Sequence, residues 1–412
     1  MPLVCALFSI LTLLRAASAF AAGDSLDAAI ARHRTGVLVI RTTPGAKISV
    51  EQLRHEFWFG ATLPGSVFNG RAGADDAARF REIFLSHFNA GVIESAFKWH
   101  DMEKERGKVD YSTVDAMLAW AGSHDIPLRG HCIFWGVPNF VQDWVKGLDD
   151  AQLRLAVKQR ARSIAARYRG LFAEYDLNNE MIHANYYEQR LGPESVKQMA
   201  SWVKDGDPGA ILFFNDYDIT TGRRLDDYVT HIRRILDMNA PMSGIGVQGH
   251  LHGDSFDPAA LQRSLDVLAQ FKLPIRITEF NFPGQRSKYY KQRDARLSPE
   301  EERAKAAALT EYFRICFAHP AVTGIMMWGF WEGANWIPQS SLYKRDWTPT
   351  PAAEAYKKLV LQDWQTRATA KAGPDGIATV RAYYGKHRVT VDGKETIVTL
   401  TRAEGAKVID AE

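Results

Sequence analysis

Short apolar runs alternate with amphipathic segments along most of this chain. The runs are rich in β-branched residues and occupy residues 57–61, 90–95, 127–134, 173–178, 211–215, 244–248, 274–280 and 322–328. Segments with helical periodicity lie between them, for example at 151–168, 258–271 and 299–317. Apolar runs joined by amphipathic helices are typical of parallel strands covered by helices. Eight such units predict an α/β fold, a (β/α)8 TIM barrel over residues 56–362. An open doubly wound sheet is the alternative, but no glycine-rich phosphate loop follows the first strand.

The segments on either side of the barrel pattern carry the signals of β structure. In residues 23–55, strand patterns at 37–40 and 47–50 are joined by a turn at Pro44-Gly45, which predicts an N-terminal β-hairpin extension. Strand-like runs also occupy 377–384, 387–391 and 396–401, with an Asp392-Gly393 turn between the last two. Residues 363–412 are therefore predicted to form a small β-rich appendage.

The first two dozen residues differ from the rest of the chain. Residues 3–14 are almost wholly apolar and run into Ala16-Ala17-Ser18-Ala19, a pattern typical of a cleaved secretory signal. A membrane span needs about 20 apolar residues, which neither this run nor any other segment supplies. We expect a signal peptide at residues 1–22, a secreted protein (extracellular or periplasmic) and no membrane partner; a buried N-terminal helix is the alternative.

Charge and cysteine usage exclude several classes of partner. The net charge is +3 over 412 residues, and Lys and Arg are scattered among Asp and Glu, so we expect no nucleic-acid partner. Without the signal, the chain keeps Cys132 and Cys316, which lie in apolar runs and lack metal-ligand spacing. We expect buried free thiols, no metal and no other cofactor.

Polar and aromatic residues follow the predicted strands, and the active site of such a barrel lies at the C-terminal strand ends. In strand order they are Glu94 and Lys98; His131 and Trp135; Asn179 and Glu180; Asn215, Asp216 and Tyr217; Gln248 and His250; Glu279 and Asn281; Trp328 and Trp336. Sugar rings present flat C–H faces that stack on indole, while their hydroxyls bind carboxylates, amides and imidazoles. The pattern therefore indicates a polysaccharide substrate.

Two carboxylates in this set, Glu180 and Glu279, are the candidate catalytic residues. Each closes a hydrophobic strand run, on the fourth and the seventh strand, so each is expected to point into the barrel mouth. Acetal hydrolysis needs one carboxylic acid to protonate the leaving oxygen and one carboxylate to stabilise or attack C1. Strands four and seven lie across the barrel from each other, which leaves room for a sugar between the pair.

At these same positions the sequence resembles glycoside hydrolase family 10, the endo-1,4-β-xylanases. The similarity runs from about Phe57 to Tyr356. Its motifs are Lys98-Trp99, Arg129-Gly130-His131 with Trp135, Asp176-Leu177-Asn178-Asn179-Glu180, Asn215-Asp216-Tyr217, Gly246-Val247-Gln248-Gly249-His250, Ile277-Thr278-Glu279, and Trp328-Gly329 with Trp336. Residues 178–193 and the strands before the barrel are most similar to the plant-type branch.

The resemblance implies a retaining endo-acting hydrolase that cleaves β-1,4-xylosidic bonds in xylan through a glycosyl-enzyme intermediate on Glu279, with Glu180 as acid/base. It also implies roles for the other matched positions. Asn179, His131 and Gln248 would bind the sugar at the cleavage site, and His250 would orient Glu279. Glu94 and Lys98 would bind the next sugar outward, with Trp328 and Trp336 as stacking walls. Trp135 and Tyr217 complete the predicted substrate-binding set.

Three positions depart from the family pattern. Ser95 stands where the family usually has Asn, Asn281 where it usually has Asp, and Ile337 where an Arg often follows the last Trp of the cleft. A neutral amide at 281 would leave His250 less charged. These changes bear on which chain and which side groups are preferred.

Other functions share parts of this pattern. A metal-dependent hydrolase on the same barrel is suggested by His250-Leu251-His252, although no further His-Asp set completes a metal site. A catalytically silent carbohydrate-binding barrel would be favoured if a carboxylate were missing, and both are present. Another β-1,4-glycanase on the same scaffold is the remaining alternative.

Overall fold

A computed structural model describes residues 25–411 of the chain, and the predicted signal peptide, residues 1–22, lies outside the described residues. The strands are β1 (Thr35–Arg41), β2 (Lys47–His55), β3 (Trp58–Leu63), β4 (Ala90–Ile93), β5 (Leu128–Gly130), β6 (Phe134–Trp135), β7 (Glu174–Asn179), β8 (Leu212–Asp216), β9 (Gly244–Val247), β10 (Ile275–Phe280), β11 (Val322–Met327), β12 (Arg367–Lys371), β13 (Ile377–Tyr383), β14 (Gly385–Val391), β15 (Lys394–Leu400) and β16 (Ala406–Asp410).

The α-helices are α1 (Leu26–Arg34), α2 (Gly65–Phe68), α3 (Ala74–His87), α4 (Trp99–Met102), α5 (Ser112–Ser123), α6 (Asp143–Lys146), α7 (Asp150–Arg167), α8 (Tyr186–Leu191), α9 (Ser195–Gly206), α10 (Leu225–Asp237), α11 (Pro258–Ala269), α12 (Pro299–Ala318) and α13 (Pro351–Tyr356). A π-helical segment, Lys357–Asp363, continues α13, and short 3-10 turns lie at Pro138–Phe140, Glu332–Ala334 and Pro338–Ser340.

The parallel strands from β3 to β11 close into the predicted (β/α)8 barrel. Their order is β3-β4-β5-β7-β8-β9-β10-β11, and the ring closes because β11 pairs with β3 while β5 pairs with β7. β6 continues the third strand and pairs with the end of β7. Every residue of β4, β8 and β10 is buried, which explains why the strands appear as continuous apolar runs.

Local signals define the helices that cover the barrel. α7 begins at a capping box formed by Asp149 and Gln152, and α12 begins at one formed by Ser298 and Glu301 with Pro299 in the first turn. Both helices start within two residues of their predicted positions. Among residues 25–411, no helix is both long and apolar enough to cross a membrane. Cys132 and Cys316 are buried free thiols, as predicted.

The prediction of an N-terminal hairpin is wrong, because β1 and β2 do not pair with each other. β1 lies between β13 and β16 in a three-stranded sheet, whereas β2 lies between β12 and β14 in a four-stranded sheet completed by β15. Both strands alternate between buried and more exposed residues. The turn between them carries the chain from one sheet to the other, so that each strand contributes its apolar face to a shared core.

The extension and the appendage therefore form one β-sandwich. Its hydrophobic core is separate from that of the barrel and includes Leu38, Ile48, Val380, Val389 and Leu400. The prediction missed β12 and β16, whose residues are all exposed or half-buried. Their alternating polar residues gave no apolar run to detect.

The base of the barrel, at the N-terminal ends of its strands, rests on this sandwich. Arg34 at the end of α1 is buried and donates hydrogen bonds to the carbonyls of His319 (2.6 Å) and Val322 (2.8 Å) at the start of β11. The ring of Trp364 packs against Phe317, with centroids 4.2 Å apart. The C-terminal strand ends, which carry the predicted site, lie at the opposite end of the barrel.

Candidate active site

The predicted acid, Glu180, is the first residue after β7. Its backbone has a positive φ of 62°, which non-glycine residues rarely adopt, and its N–H donates to the carbonyl of Asn215 (2.8 Å). The carboxylate accepts hydrogen bonds from Gln248 Nε2 at Oε1 (2.9 Å) and from Trp135 Nε1 at Oε2 (2.8 Å). Both the backbone and the side chain of Glu180 are thus held in place. A rarely adopted backbone conformation of this kind is typical of functional sites.

The predicted nucleophile, Glu279, lies near the end of β10 and is buried. Oε1 accepts a hydrogen bond from Asn215 Nδ2 (2.7 Å), and Oε2 lies 3.2 Å from His250 Nε2. His131 Nδ1 is 3.9 Å from Oε1. Both carboxylate oxygens therefore face nitrogen atoms.

The surroundings shift the pKa values of the two glutamates in opposite directions. Burial raises the pKa of Glu180, the hydrogen bonds from Gln248 and Trp135 offset part of the rise, and the charge of Glu279 adds to it. Burial would also raise the pKa of Glu279, but His131 and His250 outweigh it and the pKa is lowered. Two carboxyl groups tuned apart in this way suit one acid and one anionic group in the same site.

His250 contacts a second partner besides Glu279. Its Nδ1 lies 2.8 Å from Asn281 Oδ1, and Asn281 Nδ2 has no hydrogen-bond partner among residues 25–411. The oxygen and nitrogen of an amide are assigned from their contacts, so either can face the ring. With Nδ2 turned toward Nδ1, a neutral imidazole keeps its proton on Nε2 and donates to Glu279. A carboxylate at position 281 could only accept.

Indole rings and a buried ammonium form the walls of the cleft. Lys98 Nζ lies 4.5 Å from the ring centroid of Trp135 and 5.8 Å from that of Trp328. Trp328 meets His131 edge to face at 5.2 Å. Trp336 lies 5.4 Å from the ring of His250, and its Nε1 is buried without a partner among the described residues.

Two further predicted residues, Glu94 and Tyr217, lie in the same cleft. Burial raises the pKa of Glu94 to about 7, Lys98 opposes this rise, and Glu279 adds to it. Tyr217 stacks on His183 with centroids 3.5 Å apart. The charge of Glu180 contributes to the raised pKa of Tyr217, after burial. Asn179 Oδ1 accepts a hydrogen bond from Asn215 Nδ2 (3.1 Å). The structure therefore brings all twelve predicted site residues to the C-terminal end of the barrel strands.

A family comparison places this cluster among known proteins. The model of "Glycosyl hydrolase family 10" matches residues 53–359, which is more than half of the chain. The chain belongs to glycosyl hydrolase family 10. Its relatives include "Endo-1,4-beta-xylanase 1" of Arabidopsis thaliana, 33% identical over 351 residues that cover 84% of this chain and 34% of that protein. This relative is consistent with the predicted plant-type branch.

The chain is also similar to bacterial proteins. It is 34% identical to "Anti-sigma-I factor RsgI6" of Acetivibrio thermocellus, over 82% of this chain and 41% of that protein. The chain thus spans less than half the length of either relative. Among solved structures, native xylanase 10B from Thermotoga maritima is similar with a TM-score of 0.65 and 22% identity, covering 74% of this chain and 95% of that one. That likeness concerns the fold.

The family 10 cluster depends on Asn215, which was not in the predicted binding set. Asn215 Oδ1 accepts a hydrogen bond from Thr278 Oγ1 (2.7 Å), so its Nδ2 must point toward Asn179 and Glu279. The signal was present in the sequence, because Asn215 ends the fifth strand run. Its role as a bridge between two other strands was not visible there.

Beneath the family 10 cluster lies a buried ion network that was not predicted from the sequence. Arg129 Nε donates to Asp176 Oδ2 (3.0 Å) and the same guanidinium pairs with Glu174. Arg276 donates to Glu174 through Nε and Nη2 (3.1 and 3.0 Å). Asp176 Oδ2 also lies 2.9 Å from His131 Nδ1, so the network orients the imidazole beside Glu279. Charged residues inside apolar strand runs were the available signal.

The predicted histidine pair for a metal has other partners in the family 10 chain. His250 contacts Glu279 and Asn281, while His252 Nδ1 lies 3.3 Å from the carbonyl of Gln285. In the part of the chain that the structure describes, no group of three or more His, Cys, Asp or Glu side chains is arranged to hold a metal ion.

Proposed function

We propose that this chain is a retaining endo-β-1,4-xylanase in which Glu180 is the acid/base and Glu279 the nucleophile. The observation that carries the proposal is the pair of opposite pKa shifts within one indole-walled cleft. A raised pKa favours the protonated form of Glu180, which can donate to the leaving oxygen. A lowered pKa keeps Glu279 anionic for attack at C1.

The reaction would proceed in two balanced steps. In the first, Glu180 donates its proton to the glycosidic oxygen while a Glu279 oxygen bonds to C1, and the bond to the leaving sugar breaks. In the second, Glu180 takes a proton from water, the water oxygen bonds to C1, and Glu279 leaves as a carboxylate. Because Asn215 and His250 hold the Glu279 oxygens, the nucleophile is oriented before the substrate arrives.

The proposed substrate is xylan, and the proposed place of action is extracellular or periplasmic, after export on the N-terminal signal. The substrate rests on the family and on relatives whose names include endo-1,4-beta-xylanase. We expect reducing sugars to be released faster from xylan than from cellulose or mannan. Equal or faster release of reducing sugars from cellulose or from mannan would indicate that the chain is another β-1,4-glycanase. No release from any of them would favour a binding barrel.

Azide rescue of alanine variants separates the roles of the two glutamates. Glu180→Ala should still form the glycosyl-enzyme from an aryl xyloside, since an activated leaving group needs no proton. Azide entering the vacated space should then release the β-glycosyl azide, of retained configuration. Glu279→Ala should form no intermediate, so any azide product should be the α anomer. Proton NMR distinguishes the two anomers.

Loss of activity should reach several orders of magnitude in both variants. The exposed Glu194 provides a matched control, and Glu194→Ala should keep the activity of the parent. An α-azide from Glu180→Ala would reverse the assignment. Nearly full activity of either site variant would remove that glutamate from the mechanism.

A further inference from the structure

The loop between β10 and α12, residues 281–298, is strongly cationic, and we refer to it as the basic loop. It contains Arg286, Lys288, Lys291, Arg293 and Arg296 against a single acid, Asp294. Five cations and one anion give this loop a net charge of +4, whereas the whole chain has +3. The charge of the protein is therefore not evenly spread, because the rest of the chain is close to neutral.

The basic loop is held firmly at several points. The buried amide of Gln339 donates hydrogen bonds to the carbonyls of Gln292 (2.7 Å) and Ala295 (2.8 Å). The hydroxyl of Tyr289 donates to Glu301 at 2.8 Å, at the start of α12. The backbone that carries the cations is thus fixed relative to the barrel.

Some of the cations are neutralised by neighbours and others are not. Arg286 forms a two-point ion pair with Asp218 (3.0 and 2.6 Å), and Lys288 pairs with Glu301 (2.5 Å). Arg296 turns back to donate to the loop carbonyls of Arg293 and Ala295. Lys291 and Arg293 are exposed, and no carboxylate of residues 25–411 lies within 4.0 Å of either charge.

One of the two unpaired charges, that of Lys291, lies at the outer end of a row of contacts that begins at Glu279. His250 contacts Glu279 (3.2 Å), the ring of Trp336 lies 5.4 Å from His250, and the ring of Tyr290 lies 5.9 Å from Trp336. Lys291 Nζ is 5.4 Å from the centroid of Tyr290. A sugar chain leaving the cleft past Trp336 would therefore meet Lys291.

From these observations we infer that the basic loop binds the carboxylate of a uronic acid side group on the β-1,4-glycan. The inference rests on the proposed function and narrows its substrate to an acidic xylan. The neutral main chain of a glycan forms no ion pair with these unpaired cations, whereas a carboxylate side group forms a charge-assisted hydrogen bond with them. Screening limits the interaction to about 8 Å at physiological ionic strength, so salt should weaken it.

The test compares glucuronoxylan with the same polysaccharide after chemical reduction of its carboxylates to alcohols. The branching is identical in the two substrates and only the charge differs. For the unmodified enzyme we expect kcat/KM to be several-fold higher on the acidic form, because an exposed ion pair contributes about a two- to fivefold effect. The ratio should fall toward one at high salt.

Lys291→Ser/Arg293→Ser should lower the same ratio toward one at low salt. The control is Arg233→Ser/Lys386→Ser, which removes the same charge from exposed positions on α10 and β14 and should keep the ratio of the parent. A ratio of one in the parent, or an equal ratio in both double variants, would overturn the inference alone. If the enzyme hydrolysed neither glucuronoxylan nor its reduced form, the proposed function and the inference would both be overturned.

Discussion

At the scale of single residues, identical carboxyl groups behave differently because of the atoms around them. Burial acts to raise the pKa of both Glu180 and Glu279, yet only Glu279 faces two imidazoles. For Glu94, Lys98 offsets only part of the effect of burial, and the pKa is raised to about 7. The pKa of the free carboxyl is near 4.5, so Glu94 binds protons more tightly in the folded state than in the unfolded state.

This difference predicts a pH-dependent stability cost at Glu94. Below pH 4.5 the carboxyl is protonated in both states. As the pH rises toward 7, the unfolded state ionises while the folded state stays protonated, so stability falls. Glu94→Gln cannot ionise, and its melting temperature should therefore exceed the parent's by a margin that grows between pH 4.5 and pH 8. Thermal scans at several pH values measure that margin.

The exposed Glu194 again provides the control, since Glu194→Gln should follow the parent at every pH. A margin for Glu94→Gln that stays constant with pH would mean that Glu94 ionises normally. If Glu94→Gln also hydrolyses xylan more slowly, then Glu94 contributes to substrate binding although it lowers the stability of the protein.

At the scale of elements, the strands of the barrel carry both the site and its support. β5 and β7 place Arg129 and Asp176 in the interior, where neither side chain is exposed. Removing one partner of such a pair leaves a buried charge without compensation. Arg129→Met should therefore destabilise the protein by about 3–5 kcal/mol, and urea unfolding measures this loss.

A surface ion pair provides the comparison for Arg129. Arg167 and Asp115 are 2.6 Å apart, and both side chains are about two fifths exposed. Arg167→Met should cost only about 0–1 kcal/mol, because water and salt screen the pair. Equal losses in the two variants would show that the interior network contributes no more than a surface contact.

The elements also show what the sequence could predict. All eight barrel strands were predicted, because parallel strands buried on both faces appear as apolar runs. Site residues followed from their position just after those runs. Arg129 was part of a family motif, but its ion pairs were not predicted, because its partners lie on β7 and pairing between distant segments leaves no local pattern. The same reason explains the hairpin error, since the turn at Pro44-Gly45 is compatible with either one sheet or two.

At the scale of the whole molecule, the first two and the last five strands of residues 25–411 fold together at the base of the barrel. β1 pairs with β13 and β16, and β2 pairs with β12 and β14. Arg402, just after β15, donates to the carbonyl of Pro320 (2.6 Å) in the barrel. The sandwich thus contacts the barrel at the end opposite the cleft.

During synthesis, the first two strands leave the ribosome long before the strands with which they pair. β1 begins at residue 35, whereas its partner β13 begins only at residue 377. At ribosomal rates the first strand must wait for roughly half a minute before its partner exists. During that time the apolar faces of β1 and β2 and their unpaired edges are open to other chains. A ribosome that stops early therefore releases a chain whose first strands stay exposed to proteases.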